Sequence, residues 1–340
     1  MIIRDFGNGF SVADWTEEVN IIPNEWGTIQ SLGLFTDNPV FEQTVVFEEI
    51  QKHGGLVVDR VRGERSNVGA DATRKLHSFN VPHFPLDDAI YPKDLQGRRA
   101  YGAPSEAEQL EAVRVRKMEH IRRNHAWTLE FARAQALTAG TAYAPNGTVN
   151  QNWFTEFGVT QTTVNFAFSS PATDIVAGVE SVIAAIQDNA GANNMTGMVT
   201  LCSPQWFAAL ISHANVKVAY QYYTSTQGSV LRDRMSAGNS PLPYHRTFNF
   251  AGMDFIEMRD AYNGTPLIPA NTAVAVPLGT DFFRTYYAPA ERFGIVNTLG
   301  EATYYFESQS LNGTAINIET ESNFINAILK PSLVIALTKS

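Results

Sequence analysis

The 340-residue chain has one cysteine, no apolar run of membrane-spanning length and a modest charge content. Each shortage excludes something. The single thiol, Cys202, rules out an intramolecular disulfide framework. It lies in the apolar run Met198-Val199-Thr200-Leu201-Cys202 and reads as a small buried hydrophobe, so cytosolic folding is expected. A bilayer-crossing helix needs about 20 consecutive apolar residues, and none occur. The opening MIIRDFGNGFSVADW has no apolar core and no cleavage site of a signal peptide. Charged residues are 17% of the chain against 44% hydrophobic and 11% aromatic. That balance is globular, and a charge-poor surface suits a protein that faces other subunits.

Recognised catalytic patterns are also missing. Gly7-Asn8-Gly9 and GTDFF at 279–283 lack the strand–loop–helix setting of a phosphate loop. The seven histidines show no metal-ligand spacing. His120 and His125 are five apart on a helical stretch, which separates their faces by about 140°. His77 and His83 flank a proline-rich extended segment and read as surface or interface packing residues. Cys202 and His213 form no recognisable thiol–base pair, because nothing fixes a third member. GVES at 178–181 lacks the glycine of a nucleophile elbow. Glu48-Glu49 and Asp87-Asp88 read as solvated pairs. Four Asn-x-Thr matches begin at Asn146, Asn194, Asn263 and Asn312. Three of them are Asn-Gly-Thr, which turn chemistry explains. No catalysis, cofactor or metal is expected, and a soluble oligomeric enzyme is kept only as a minor alternative.

What is present is uneven. The net charge is -9, yet residues 52–133 hold 15 of the 25 Lys and Arg against 11 acids, leaving the remainder at -13. Within that segment, DRVRGERSNV at 59–68 crowds Arg60, Arg62 and Arg65 around a glycine, with Glu64 between them and Arg74 nearby. On the helix that follows, Arg114, Arg116, Lys117, Arg122 and Arg123 are interleaved with acids. This argues against sequence-specific nucleic-acid readout and for a solvated or interface face.

The chain reads as α+β. Residues 1–38 form an arm with little core of its own. FEQTVVF (41–47) and GLVVDRVRG (55–63) suggest strands, and the prolines of HSFNVPHFPLDDAIYP keep it extended. Residues 40–92 therefore resemble a long hairpin with its tip near 62–72, too poor in apolar residues to stand alone. A helix is expected over 106–139, with Ser105 and Glu108 as capping box, Gly140 as stop and a stripe at Leu110, Val113, Ile121, Leu129, Ala132 and Ala136. It would run about 50 Å. A hairpin turning at Asn146-Gly147, a helix opened by Ser170-Pro171, the strand GMVTLC and a helix opened by Ser203-Pro204 follow. From Phe248 onward, short strands dominate.

The order of these parts resembles the major capsid proteins of tailed bacteriophages, and more narrowly the lambda-type major head protein family. The similar stretches are VVDRVRGERSNVGADATRKLHSFNVPH, LTAGTAYAPNGTV, VTLCSPQWFAAL, DAYNGTPLIPANTAVAVPLG, FRTYYAPA and ETESNFINAILKPSLVIAL. The resemblance implies an arm at 1–38, an extended loop at 39–97 and a peripheral domain at 98–165 carrying the spine helix. An axial domain at 166–318 and a return strand at 319–340 complete it. It implies self-assembly as pentamers and hexamers into an icosahedral head around double-stranded DNA, in the host cytoplasm. Scaffold, portal and decoration proteins would be separate chains. An encapsulin-like storage shell of the same fold is the alternative. The tip at 62–72 has no lysine, so no lysine–asparagine cross-link is expected. Arg60, Arg62, Glu64, Arg65 and Arg74 are the intersubunit contact candidates.

Overall fold

A computed structural model of the chain describes residues 2–5, 11–22, 27–51, 73–96, 110–191, 194–223, 245–262, 264–295 and 297–340. Two large sheets dominate. The eight-stranded one runs Ile2–Asp5, Ser11–Asp14, Tyr304–Gln309, Ile316–Ile328, Phe283–Tyr287 and Thr36–Pro39. His83–Pro85 and Asp88–Ile90 pair with the long strand Ile316–Ile328 as well. The six-stranded sheet runs Thr247–Phe250, Met253–Glu257, Gly197–Cys202, Thr272–Leu278, Ile335–Lys339 and Thr163–Phe166.

The spine helix, Leu110–Ala139, lies on the eight-stranded sheet because one of its faces is apolar at helical spacing. Val113, Met118 and Ile121 pack against Tyr305, Ile318, Val19 and Ile90. Each such burial favours folding by about 1.5–3 kcal/mol. The six-stranded sheet is covered on both faces, and its strands show why. In TAVAVPL, Val274 and Val276 enter the core shared with Phe283, Ile325 and the end of the spine helix. The alternating Ala273 and Ala275 enter a second core, under the helices Ile175–Ala190 and Pro204–Ser212. Cys202 is fully buried in that second core.

Several expectations shift. The helix expected from Ser170-Pro171 begins at Ile175, where the Asp174 side chain accepts the Ala177 N–H at 3.1 Å. Ser170 and Pro171 lie in the turn before it, and a proline at N1 is no stronger a start signal than a carboxylate on the first free amides. Ser203-Pro204 does open its helix, with the Ser203 hydroxyl accepting the Trp206 N–H at 3.4 Å. The Asn146-Gly147 turn is present, but its hairpin is closed by a single bridge between Thr141 and Asn152. The capping box at Ser105 and Glu108 and the strand at 55–63 lie outside the described residues.

Sheet membership also cuts across the expected boundaries at 166 and 318. Phe283–Tyr287 and Tyr304–Gln309 join the sheet under the spine helix, whereas Ile335–Lys339 joins the six-stranded sheet between Thr272–Leu278 and Thr163–Phe166. Such pairings are long-range, and local pattern cannot fix them. The arm, expected to need support, finds it in its own chain. Ser11–Asp14 pairs with Tyr304–Gln309, and Val19 and Ile29 are fully buried.

The spine helix stops at Gly140, whose φ of +66° suits glycine and whose missing Cβ would stand 2.2 Å from the Phe154 ring. Gly140→Ala is expected to lower unfolding free energy by roughly 2–4 kcal/mol, from combined backbone strain and ring displacement. Urea denaturation of unassembled protein checks this, and an unchanged midpoint would contradict it.

Candidate subunit-contact surface

The extended hairpin pairs Thr44–Gln51 with Thr73–Asn80, and directly opposed residues share a face. Val45 opposes Phe79, and Phe47 opposes His77. These four form the anchored face. Phe79 meets Trp153 edge-on at 5.1 Å, and Phe47 stacks on His77 at 5.2 Å and on Phe157 at 5.9 Å. His77 Nδ1 lies 2.7 Å from Glu156 Oε1, and that hydrogen bond holds the carboxylate below its usual range. His77 is therefore a buried anchor within the chain.

The opposite face is different. Val46 is 54% exposed and Leu76 is 72% exposed. Val46 opposes Ser78, so Leu76 is its diagonal neighbour, about 7–8 Å away on the same face. Among the described residues, two apolar side chains thus face outward on the hairpin while its other face packs on the chain beneath. Of the candidates read from the sequence, Arg74 lies on this stem and is exposed. Arg60, Arg62, Glu64 and Arg65 lie outside the described residues. Val46 and Leu76 carry no sequence signal of their own, because exposure of an apolar strand residue depends on which face the rest of the chain covers.

The cationic row of the spine helix is largely absorbed within the chain. Arg114 Nε donates to Glu307 Oε1 at 2.9 Å, Nη1 reaches Glu111, and the guanidinium stacks 4.9 Å over the Trp15 ring. Lys117 Nζ meets Asp88 Oδ2 at 2.6 Å, so Asp88 is an ion-pair partner rather than a merely solvated acid. Arg122 donates to Thr303 Oγ1 at 2.9 Å, and burial pushes its pKa down. Arg116 and Arg123 are exposed.

Deeper along the same helix lies a polar network that the sequence reading missed. Arg133 is 1% exposed. Its Nη2 donates to Asp37 Oδ1 at 2.9 Å and Thr285 Oγ1 at 3.0 Å, and Nη1 donates to Gln30 Oε1. Thr285 passes its own proton to Asn326 Oδ1 at 2.8 Å. Three residues before Arg133, Glu130 is 2% exposed and accepts the Ile29 N–H at 2.5 Å and the Gln30 N–H at 3.2 Å. Burial raises its pKa to about 7. A usable signal was there: Glu130 and Arg133 flank Leu129 and Ala132 of the apolar stripe. His125 Nε2 is 3.2 Å from Thr320 Oγ1, whose proton goes to Leu86 O, so the imidazole donates.

No three His, Cys, Asp or Glu side chains come together as a metal site among the described residues. Burial pushes the Cys202 thiol well up, and its Sγ lies 3.6 Å from Thr200 O. His213 Nε2 lies 3.0 Å from Ser170 O, so each of the two is engaged elsewhere.

The fold is that of tailed-phage capsid proteins. A prophage capsid protein of E. coli CFT073 superposes with a TM-score of 0.60 at 11% identity, covering 97% of this chain and 99% of that one. The capsid protein of cyanophage P-SCSP1u gives 0.54 at 9% identity, over 94% of this chain and 89% of that one. Residues 11–339 match the family of phage major capsid protein E, and the chain belongs to that family. It is 43% identical to the major capsid protein of Pseudomonas phage KPP10, with 98% of each chain covered. The major capsid protein of Salmonella phage Felix O1 is 25% identical over the same shares.

The network on the spine helix predicts a pH response. Burial and the neighbouring Arg122 charge depress His125 from 6.5 to about 4. As pH falls, the unfolded chain takes up this proton first. The contribution is therefore complete above the ordinary histidine range and is lost as pH falls toward the folded value. Denaturation of unassembled protein should show up to about 3 kcal/mol lost from this site between neutral pH and about pH 4. His125→Gln should flatten that slope, and an identical slope in the variant would contradict the assignment.

Proposed function

We propose that the chain assembles as pentamers and hexamers into an icosahedral head that encloses double-stranded DNA, with no catalytic role. The carrying observation is the hairpin at 44–80, anchored beneath by Phe79, Phe47 and His77 and bare above at Val46 and Leu76. Exposed apolar residues on one face of a hairpin fit a subunit-bridging loop, because burial against a neighbour removes them from water. Family membership supports the same reading.

In this proposal residues 39–97 overlie the adjacent subunit, with Arg60, Arg62, Glu64, Arg65 and Arg74 at the contact. The spine helix and the eight-stranded sheet form the peripheral body. The six-stranded sheet and its two helices form the axial unit around the five-fold and six-fold positions. DNA is enclosed without sequence-specific contacts, consistent with a chain at -9. Scaffold, portal and decoration proteins act as separate partners, and assembly takes place in the host cytoplasm before the subunit is part of the virion.

Sedimentation and negative-stain microscopy test the assembly directly. The full-length chain should form shells or pentamers and hexamers, and a small oligomer under all assembly conditions would overturn the proposal. Leu76→Glu with Val46→Glu should leave the subunit folded while lowering shell yield at least about tenfold, because two charges replace buried apolar surface. Arg60→Glu with Arg62→Glu should likewise block assembly or change particle size. Normal yield and size from both double variants would remove the hairpin from the contact.

A further inference from the structure

One face of the eight-stranded sheet carries the spine helix, and the loop 288–303 lies against the other. Alternation along Tyr304–Gln309 separates them: Tyr305 packs with Met118 and Ile121, whereas Tyr304 and Phe306 pack with Ala290 and Ile295 of the loop. The loop is pinned at several points. The Gly300 N–H donates to Val40 O at 3.0 Å and the Ile295 N–H to Arg292 O at 2.9 Å. The Arg292 guanidinium lies 4.1 Å over the Phe306 ring and pairs with Glu319. From this frame the turn Phe293–Ile295 holds the Phe293 ring 95% exposed. A phenyl ring fixed in water gains no hydrophobic stabilisation until a partner covers it. Beside the turn, a cavity of about 290 Å³ is lined by Asp87, Glu291, Glu319 and Glu321, with Arg292 and His83 as its basic side chains.

We propose that this turn and its acidic rim receive the bare hairpin face of a second copy, with Phe293 packed on Leu76 and Val46 and the rim facing Arg74. This contact presupposes the assembly reading above and supplies the surface that the hairpin meets. Both chemistries match. Leu76 and Val46 are exposed apolar side chains of the stem, and a phenyl ring that covers them removes apolar surface from both partners at about 25 cal/mol per Å². Arg74 and Lys75 are exposed on the same stem and are opposite in charge to the rim. The two surfaces lie too far apart to meet within one chain. The stem is fastened through Phe79 to Trp153, whose N–H donates to Gly140 O at 2.8 Å just beyond the spine helix. The loop 288–303 instead covers the sheet where Met118 and Ile121 back it, and Ile121 to Ala139 is about 27 Å of helix. Two different surfaces of one chain thus meet head to tail, and such a contact repeats from copy to copy.

Thiol cross-linking of the assembled full-length chain tests the pairing, because the native Cys202 is fully buried. Chains with Leu76→Cys mixed with chains with Phe293→Cys, then treated with a short bismaleimide, should give covalent dimers on a denaturing gel. Leu76→Cys and Phe293→Cys on one chain should give a ladder of larger multimers, while either variant alone stays monomeric. Phe293→Glu should leave the subunit folded, since the ring is exposed, and lower shell yield at least about tenfold. Shells that form without cross-linked dimers, dimers from either variant alone, or normal shell yield from Phe293→Glu would overturn the pairing and leave the assembly reading standing. A wild-type chain that forms no shell would overturn both. The Phe293→Glu measurement decides even where the cysteine variants do not assemble.

Discussion

The arm turn bound by Glu130 and Arg133 is the contact on which the rest of the architecture leans. Its Ile29 side chain enters the core shared by both sheets. Its backbone is capped by the spine helix, and its Thr28 hydroxyl reaches the 245–260 region. Arg133 ties the same turn to the edge strand Thr36–Pro39 through Asp37 and to the sheet through Thr285. Four regions distant in sequence, 28–39, the spine helix, 245–260 and Phe283–Tyr287, thus meet near one buried cation and one buried acid. Such groups add little net stability over apolar residues of equal size, but deleting one partner strands the other and costs about 3–5 kcal/mol. Their effect is to allow one docking geometry for the arm where apolar packing alone would tolerate several.

The same logic extends along the spine helix. Its interface with the eight-stranded sheet is apolar at Val113, Met118 and Ile121, then polar at Arg122, His125, Glu130 and Arg133. His125, Glu130 and Arg133 have defined hydroxyl, amide or carboxylate partners on the sheet or arm, and such directional bonds favour one rotation and register of the helix. A 30-residue helix over a sheet could otherwise slide by a turn at small cost, since apolar contacts are not directional. The anchored hairpin and the six-stranded sheet inherit their orientation from this fixed frame.

Legibility from the sequence followed the range of the interactions. The spine helix, its stop at Gly140, the Ser203 cap and the extended 82–90 segment were readable because their causes lie within a few residues. The split of Thr272–Leu278 between two cores was not, since alternating Val and Ala reveal two buried faces only when both coverings are known. The placement of Ile335–Lys339 in the six-stranded sheet depends on pairing with Thr272–Leu278 at separations of 60 to 66 residues, which no local pattern carries. The hairpin stem Thr44–Gln51 and Thr73–Asn80 follows the extended reading of 40–92. The apolar strip of Val46 and Leu76 was not legible, because only the packing of Phe79 on Trp153 decides which face is left bare.

That packing also reassigns the charge imbalance noticed in the sequence. The basic excess of residues 52–133 looked like a single feature, but its members do different things. Arg114, Lys117 and Arg133 neutralise Glu307, Asp88 and Asp37 within the chain, so their charge is spent on internal pairing. Arg74 on the hairpin and Arg116 and Arg123 on the helix are exposed. Much of the basic excess read from the sequence is thus engaged inside the subunit, and a charge count along the chain overstates what its surface offers to a partner.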